Sequence, residues 1–304
     1  MRKKVLLILP LTILVTSTSV GCGQNSSNLS TLTILSITEG DVFVMKTGAD
    51  SWTGAEVGIS LEVGDNIKTG DDSSAEITFF DGSTVELQPG TEIEITSLDV
   101  SEDTGSTTVT LEQKIGATIS RVINIIDPAS SYEVETPSGS AAVRGSIMVV
   151  CVTEDGTSWV ANQQGNIWTR AQGVELQIPK KRKGILKPLK PPELMPPNRP
   201  PLAQDDAAVT DKDNPVTVFS PGVLINDFDP DDYDLLLVTA VDTSGTAGEV
   251  IRWGPRGTFT YDPNGKFNDL QAGDSAIDSY TYTVSDASGD TDTATVTITI
   301  RGIS

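Results

Sequence analysis

The chain has no histidine among its 304 residues. That removes the commonest general base, any Ser-His or Cys-His nucleophile pair and the usual imidazole ligands for zinc or iron. What remains is carboxylate chemistry, and it is concentrated. From Asn226 to Asp234, five carboxylates and one amide crowd nine positions: Asn226, Asp227, Asp229, Asp231, Asp232 and Asp234. Such a run repels itself unless it is solvated or neutralised. Across residues 201–304 Asp outnumbers Glu 17 to 1, and short carboxylates suit tight turns and calcium loops better than long ones. An EF-hand is excluded, because its sixth position would be Asp232 in place of Gly and its twelfth Val238 in place of Glu. Two facing acids could also hydrolyse a glycan, but no pair stands out, and the chain is expected not to be an enzyme.

The elements that must position these acids are strands. Leu32–Leu35, Asp41–Val44, Ala75–Phe79, Thr84–Leu87 and Thr91–Ile95 largely alternate apolar with polar, as do Gly257–Tyr261, Ser279–Val284 and Ala294–Ile300. Asp81-Gly82 between two alternating runs predicts a hairpin. No long segment keeps helical spacing, so the expected class is all-β.

Charge divides the chain. The net −21 is made of +3 over residues 1–30, −17 over 31–179, +6 over 180–200 and −13 over 201–304. Two acidic bodies flank a basic, Pro-rich connector from Lys180 to Leu202. Proline cannot donate to a ladder and breaks a helix interior, so an extended, semi-rigid spacer is expected. Its basic cluster is also a candidate contact for anionic headgroups or an acidic cell-wall polymer. The acidic bodies argue against nucleic acid as a partner.

Ahead of these bodies, Arg2, Lys3 and Lys4 precede an apolar run from Val5 to Val15, followed by Ser19-Val20-Gly21-Cys22. The run is too short to cross a bilayer and reads as an export signal. The Cys after Gly21 resembles a bacterial lipobox, with Ser19 where Leu is usual. This implies a signal peptide over 1–22, lipidation of Cys22, a polar tether over 23–30 and an extracytoplasmic protein anchored to the cell membrane. Cys151 then has no intrachain partner and, within Ile147–Val152, reads as a small buried hydrophobe.

Four blocks in the first body, in order, resemble the FecR domain. They are Gly40-Asp41-Val42 with Trp52; Leu61 to Gly70; Phe80-Asp81-Gly82-Ser83-Thr84-Val85-Glu86-Leu87; and Val134 to Ser146. The resemblance implies a FecR-like β domain over 31–179. The family's namesake relays an iron-siderophore signal to a cytoplasmic sigma factor. Only Met1 to Lys4 precede the apolar run here, so the fold carries over and the anti-sigma activity is not expected. Within these blocks the glycines are expected to serve turns, Trp52 and Trp168 to pack, and Arg144 to act as a structural clamp or as a candidate ligand contact.

Four further pieces resemble a bacterial cadherin-like immunoglobulin module, close to the VCBS repeat of surface adhesins. They are Ala203-Gln204-Asp205-Asp206, Gly222–Asp227, Gly257–Pro263 and Asp278–Asp286. The resemblance implies an immunoglobulin-like β-sandwich over 203–304. It also implies Ca2+ held by Asp205, Asp206, Asn226, Asp227, Asp229, Asp232, Asp234, Asp278 and Asp286. Together these features describe a lipid-anchored envelope protein with a binding, adhesion or scaffold role, toward an envelope protein or polysaccharide. The alternative is an envelope signal sensor.

Overall fold

The computed structural model describes residues 32–123, 127, 129–231 and 234–304. Cys22, the export signal and Asp232 lie outside them. The described chain is nearly all β, with one short 3-10 turn at Gly222–Leu224. Among the described residues no helix is long and apolar enough to cross a membrane.

The first domain opens with short strands: β1 (Thr33–Glu39), β2 (Val42–Met45), β3 (Thr53–Gly54), β4 (Ser60–Leu61), β5 (Asn66–Thr69), β6 (Ser74–Thr78) and β7 (Thr84–Leu87). Longer ones follow: β8 (Glu92–Val100), β9 (Thr107–Arg121), β10 (Ser131–Thr136), β11 (Gly139–Val152) and β12 (Ser158–Ala171). The set closes with β13 (Val174–Ile178), β14 (Arg182–Leu186) and β15 (Glu193–Leu194). All fifteen join in one hydrogen-bonded sheet that wraps a single core, including Leu35, Ile67, Ile77, Leu87, Ile95, Leu111, Val134 and Met148. The wrap depends on β9 and β11 changing partners along their length. The first half of β9 lies between β8 and β10, and its second half between β7 and β11.

The family motifs serve this wrap. The predicted hairpin forms between β6 and β7, with Asp81 Oδ1 accepting the Ser83 N–H at 2.9 Å. Asp65, 1 % exposed, accepts the N–H groups of Thr47 and Glu62, both at 2.9 Å, and meets Lys46 Nζ at 2.6 Å. Gly145-Ser146 forms a bulge where the β11–β12 register shifts, opposite Gly165. Both glycines have positive φ, and a Cβ on Gly165 would lie 1.8 Å from Ser146 Oγ. That hydroxyl instead accepts the Asn166 N–H at 2.8 Å. Bulges of this kind bend a strand and re-aim its faces.

Beyond the bulge, β11 is apolar on both faces. Met148, Val150 and Val152 enter the domain core, whereas Ile147, Val149 and Cys151 point to a second cluster with Ile119 and Ala161. A strand with two apolar faces must be covered twice, and the second domain supplies the cover.

That domain holds β16 (Asp206–Asp211), β17 (Val216–Val218), β18 (Leu237–Asp242), β19 (Glu249–Trp253), β20 (Phe259–Asp262), β21 (Ser275–Ser285) and β22 (Thr291–Arg301). They form a four-stranded sheet, β16-β22-β21-β18, and a three-stranded one, β17-β20-β19. Alternate residues Ala294, Val296, Ile298 and Ile300 of β22 are buried with Tyr261, Tyr282 and Phe259. This is the expected sandwich, built of seven strands. Ahead of β18, Leu236 joins its core, while Leu235, Leu237 and Ala287 join Ile119, Val149 and Ala161 across the domain boundary.

The connector is only in part the expected extended, semi-rigid spacer over 180–202. Residues 182–186 are strand β14, in register with β12 from Ser158↔Leu186 to Asn162↔Arg182. Pro179 and Lys180 lie in the turn before it, so prolines flank the strand without interrupting it. Lys183 is 2 % exposed, which removes it from any headgroup or polymer surface. Residues 195–201, between β15 and the Leu202–Phe228 bridge, lie in neither strand nor turn.

Candidate metal centre

The structure sorts the expected calcium ligands into two adjoining groups and one outlier. The first group lies where the segment before β16 meets the Asn226-Asp227 turn. Tyr282 Oη is 3.0 Å from each Asp227 oxygen, 3.1 Å from Val223 O and 3.2 Å from Gln204 O. One hydroxyl proton cannot serve four acceptors. Asp206 Oδ2 and Asn226 Oδ1 are buried here and find no donor among the described residues. Burial, offset in part by the Tyr282 hydroxyl and added to by the charges of Asp227 and Asp205, pushes the Asp206 carboxyl up to about 6. Asp227 is raised in the same direction, chiefly by burial. Asp205 Oδ1 accepts the Thr295 N–H at 2.8 Å and ties the group to β22.

The second group sits at the domain junction. Asp229, Asp231 and Asp234 present oxygens that all lie within 4.8 Å of one another. Asp286 and Asp290, from the β21–β22 turn, stand beside them, and Asn198 of the connector donates to both, at 2.7 and 3.0 Å. Three cations answer these five acids. Arg199 Nε meets Asp231 at 2.7 Å, Lys181 meets Asp290, and Lys183 meets Asp234 and lies 3.9 Å from Asp231. Two negative charges are left over among the described residues. Asp229 Oδ2 and Asn198 Oδ1 are buried acceptors with no donor there. Burial, with Asp234 and Asp286 nearby, pushes Asp229 up to about 6, and burial raises Asp286 as well.

Asp278 belongs to neither group. It is 6 % exposed, on β21, eight residues from Asp286, a separation of about 26 Å at strand rise. Its oxygens accept the N–H groups of Ala247 (3.0 Å), Gly248 (2.8 Å) and Ser279 (2.9 Å) and the Tyr261 hydroxyl (2.6 Å). Burial opposes its ionisation, but these donors win and hold it below the ordinary carboxylate range. It therefore acts as a clasp between the loop after β18 and the core. Of the nine family-implied ligands, the eight described residues divide between these two groups, with Asp278 apart.

Calcium prefers six to eight hard oxygens. In each of the two groups, carboxylates, an amide oxygen and unpartnered buried acceptors fit that preference. Asp205, Asp206, Asn226 and Asp227 would hold one ion, and Asn198, Asp229, Asp231, Asp234 and Asp286 another. The resemblance did not point to Asn198, although an Asn beside Arg199 in a proline-rich segment is a polar residue held in extended chain. Nor did it point to Lys183, whose three preceding residues are all basic and whose burial only β-pairing reveals.

The remaining candidates lie elsewhere. Arg144 is exposed on β11 opposite Asn166, beside the bulge, and outside both acidic groups. Trp52 packs under Lys68 Nζ, 4.3 Å from its ring, and Trp168 is half-buried on β12. Cys151 is half-buried at the domain boundary, where burial first and the Asp234 charge second push its thiol up to about 12.

Sequence comparisons agree with this division. Residues 65–167 match the FecR protein family, and residues 198–302 match the bacterial cadherin-like domain. The chain thus carries a FecR domain followed by a cadherin-like domain. Two crystal structures of a candidate anti-sigma factor from Parabacteroides distasonis are similar at 14% identity, covering 65% of this chain and 98% of theirs. Their TM-scores are 0.38 and 0.37, too low to carry an argument. No curated protein sequence matches the chain.

Proposed function

We propose that this is a non-catalytic cell-envelope protein, lipid-anchored through Cys22, whose cadherin-like domain binds Ca2+ and serves an adhesive or scaffolding role. The observation that carries the ion reading is the surplus of buried acceptors: Asp206 Oδ2, Asn226 Oδ1, Asp229 Oδ2 and Asn198 Oδ1 all lack donors among the described residues. Unpartnered buried polar atoms are costly, and a divalent cation satisfies several at once. When bound, Ca2+ supplies positive charge that cross-links the turns; the chain's own groups supply the oxygens and the fold.

Calorimetric titration with CaCl2, beside melting curves in EGTA, Mg2+ and Ca2+, tests this. Extracellular calcium modules bind with dissociation constants of about 0.1–1 mM. At ~10 mM Ca2+ a site of ~0.3 mM contributes about 2 kcal/mol, or roughly 8–16 °C for a domain of this size. No heat of binding and no Ca2+-specific rise in Tm would remove the reading.

A second reading, an envelope signal sensor, is favoured by the FecR match and by the docking of the ion-binding domain onto the FecR sheet. A sensor requires a partner in the membrane. Crosslinking in cells that captures no transducer counts against it.

A further inference from the structure

The junction between the two domains brings a buried lysine into a candidate cation site. Lys183 comes from β14 of the FecR domain, and its ammonium contacts Asp234, whose side chain is fully buried. The same ammonium is 3.9 Å from Asp231. Asp234 also accepts the Ala287 N–H at 2.9 Å, so the acid that grips Lys183 fixes the turn that delivers Ala287 to the interdomain cluster. Around this point the domains are joined by Lys181 to Asp290, by the Ile119, Val149, Ala161 and Ala287 cluster, and, at the far end of the sheet, by Arg252 to Glu39.

Asp231 and Asp234 are shared. They belong to the trio whose oxygens could converge on one ion, and they are the partners of Lys183. Calcium needs oxygens at about 2.3–2.6 Å on several sides, and a primary ammonium in their midst denies it that space. Removing the ammonium leaves the buried Asp234 uncompensated and Asp231 with Arg199 alone, and a divalent cation would answer both more fully than a single charge.

We infer that Lys183 is a built-in competitor for Ca2+: the ion and the lysine exclude one another at Asp231 and Asp234, so loading the junctional site loosens the cadherin-like domain from the FecR sheet. This rests on the calcium reading above and adds its regulation. Domain docking is then the cation-poor state, held by Lys183, and release is the calcium-rich state. Release uncovers the Ile147, Val149 and Cys151 face of β11.

Cys151 makes the test direct. The full chain carrying Cys22→Ser has it as the single thiol. Calcium binding is measured by calorimetry and, in the same samples, alkylation of Cys151 by N-ethylmaleimide is timed with and without 10 mM Ca2+, for the parent and for Lys183→Met. Competition requires that Ca2+ speed alkylation of the parent by about tenfold or more. It also requires that Lys183→Met bind Ca2+ about tenfold more tightly and alkylate rapidly without it. Binding by Lys183→Met alone is the strong form of the same result. Equal affinities with an alkylation rate indifferent to Ca2+ would overturn the competition and leave the calcium reading standing. No binding by either protein overturns both. If Lys183→Met does not fold, the calcium dependence of alkylation in the parent decides the matter.

Discussion

Replacing Asp278 by Ala separates two roles for one carboxylate. As a calcium ligand, Asp278 should matter little to the ion-free protein and greatly to ion binding. The structure gives it the opposite role. Its oxygens are taken by Ala247 N–H, Gly248 N–H, Ser279 N–H and Tyr261 Oη, and Tyr261 is itself fully buried. Alanine leaves the Tyr261 hydroxyl and the two loop N–H groups without an acceptor. Each such group costs about 1–3 kcal/mol when it stays buried. Allowing the loop to turn part of this toward water, the net loss is about 3 kcal/mol, equivalent to a fall in Tm of roughly 12–24 °C for a domain of about 100 residues. Asn keeps one acceptor and should lose about half as much. Tyr261→Phe removes a single donor and should cost about 1 kcal/mol. Because the two side chains are in contact, the double change should cost less than the sum. Differential scanning calorimetry in EGTA measures the losses, and titration of the folded fraction measures Ca2+ affinity, which should be unchanged. An Asp278→Ala protein that melts within 2 °C of the parent in EGTA but no longer responds to Ca2+ would refute this account.

Three other outcomes follow from the same geometry. Asp206 and Asp229, each raised to about 6 by burial, are destabilising once ionised; their cost grows as pH rises from about 4 through 6, so the Ca2+-induced rise in Tm should be full at pH 7.5 and largely lost at pH 5, as paired melting curves would show. Asp65→Ala leaves the Thr47 and Glu62 N–H groups and Lys46 without their shared acceptor, which should lower FecR-domain stability by about 2–5 kcal/mol in urea unfolding; a loss under 1 kcal/mol contradicts the structural role given to the Gly64-Asp65 motif. Mass spectrometry of the mature N-terminus should find an acylated Cys22, and an unmodified terminus elsewhere would release the protein from the membrane.

Much of the fold was legible because alternation survives in half-buried strands. β2, β7 and β22 lie almost where their apolar period put them, and the Asp81-Gly82 hairpin closes as its turn residues dictate. The junction was harder to read. Ile147–Val152 is a continuous apolar run, and such a run already states that both faces are covered; what covers the second face is a partner far away in sequence, Leu235, Leu237 and Ala287. The Lys-rich start of the connector misled for a related reason. Charge density predicts solvent exposure only while the counter-charges are unknown, and here Asp231, Asp234 and Asp290 supply them. The acidic candidates were found by composition, but composition could not divide them. Asp278 shares its residue type with the others and differs only in having four protein donors within reach.

The shortness of the extended connector sets how strongly the two domains feel each other. Met195 is tied to the FecR domain by its N–H to Lys183 O at 2.9 Å, and Leu202 is tied to the cadherin-like domain through Phe228. The intervening residues hold the two faces at an effective concentration of about millimolar. An interface with a dissociation constant of ~1 mM, about 4 kcal/mol, would go unnoticed between separate molecules at micromolar concentration. On this tether it is closed about half the time. The same contacts therefore need not be tight to act, and a modest change in the charge beside Lys183 is enough to move the balance between the joined and the parted form.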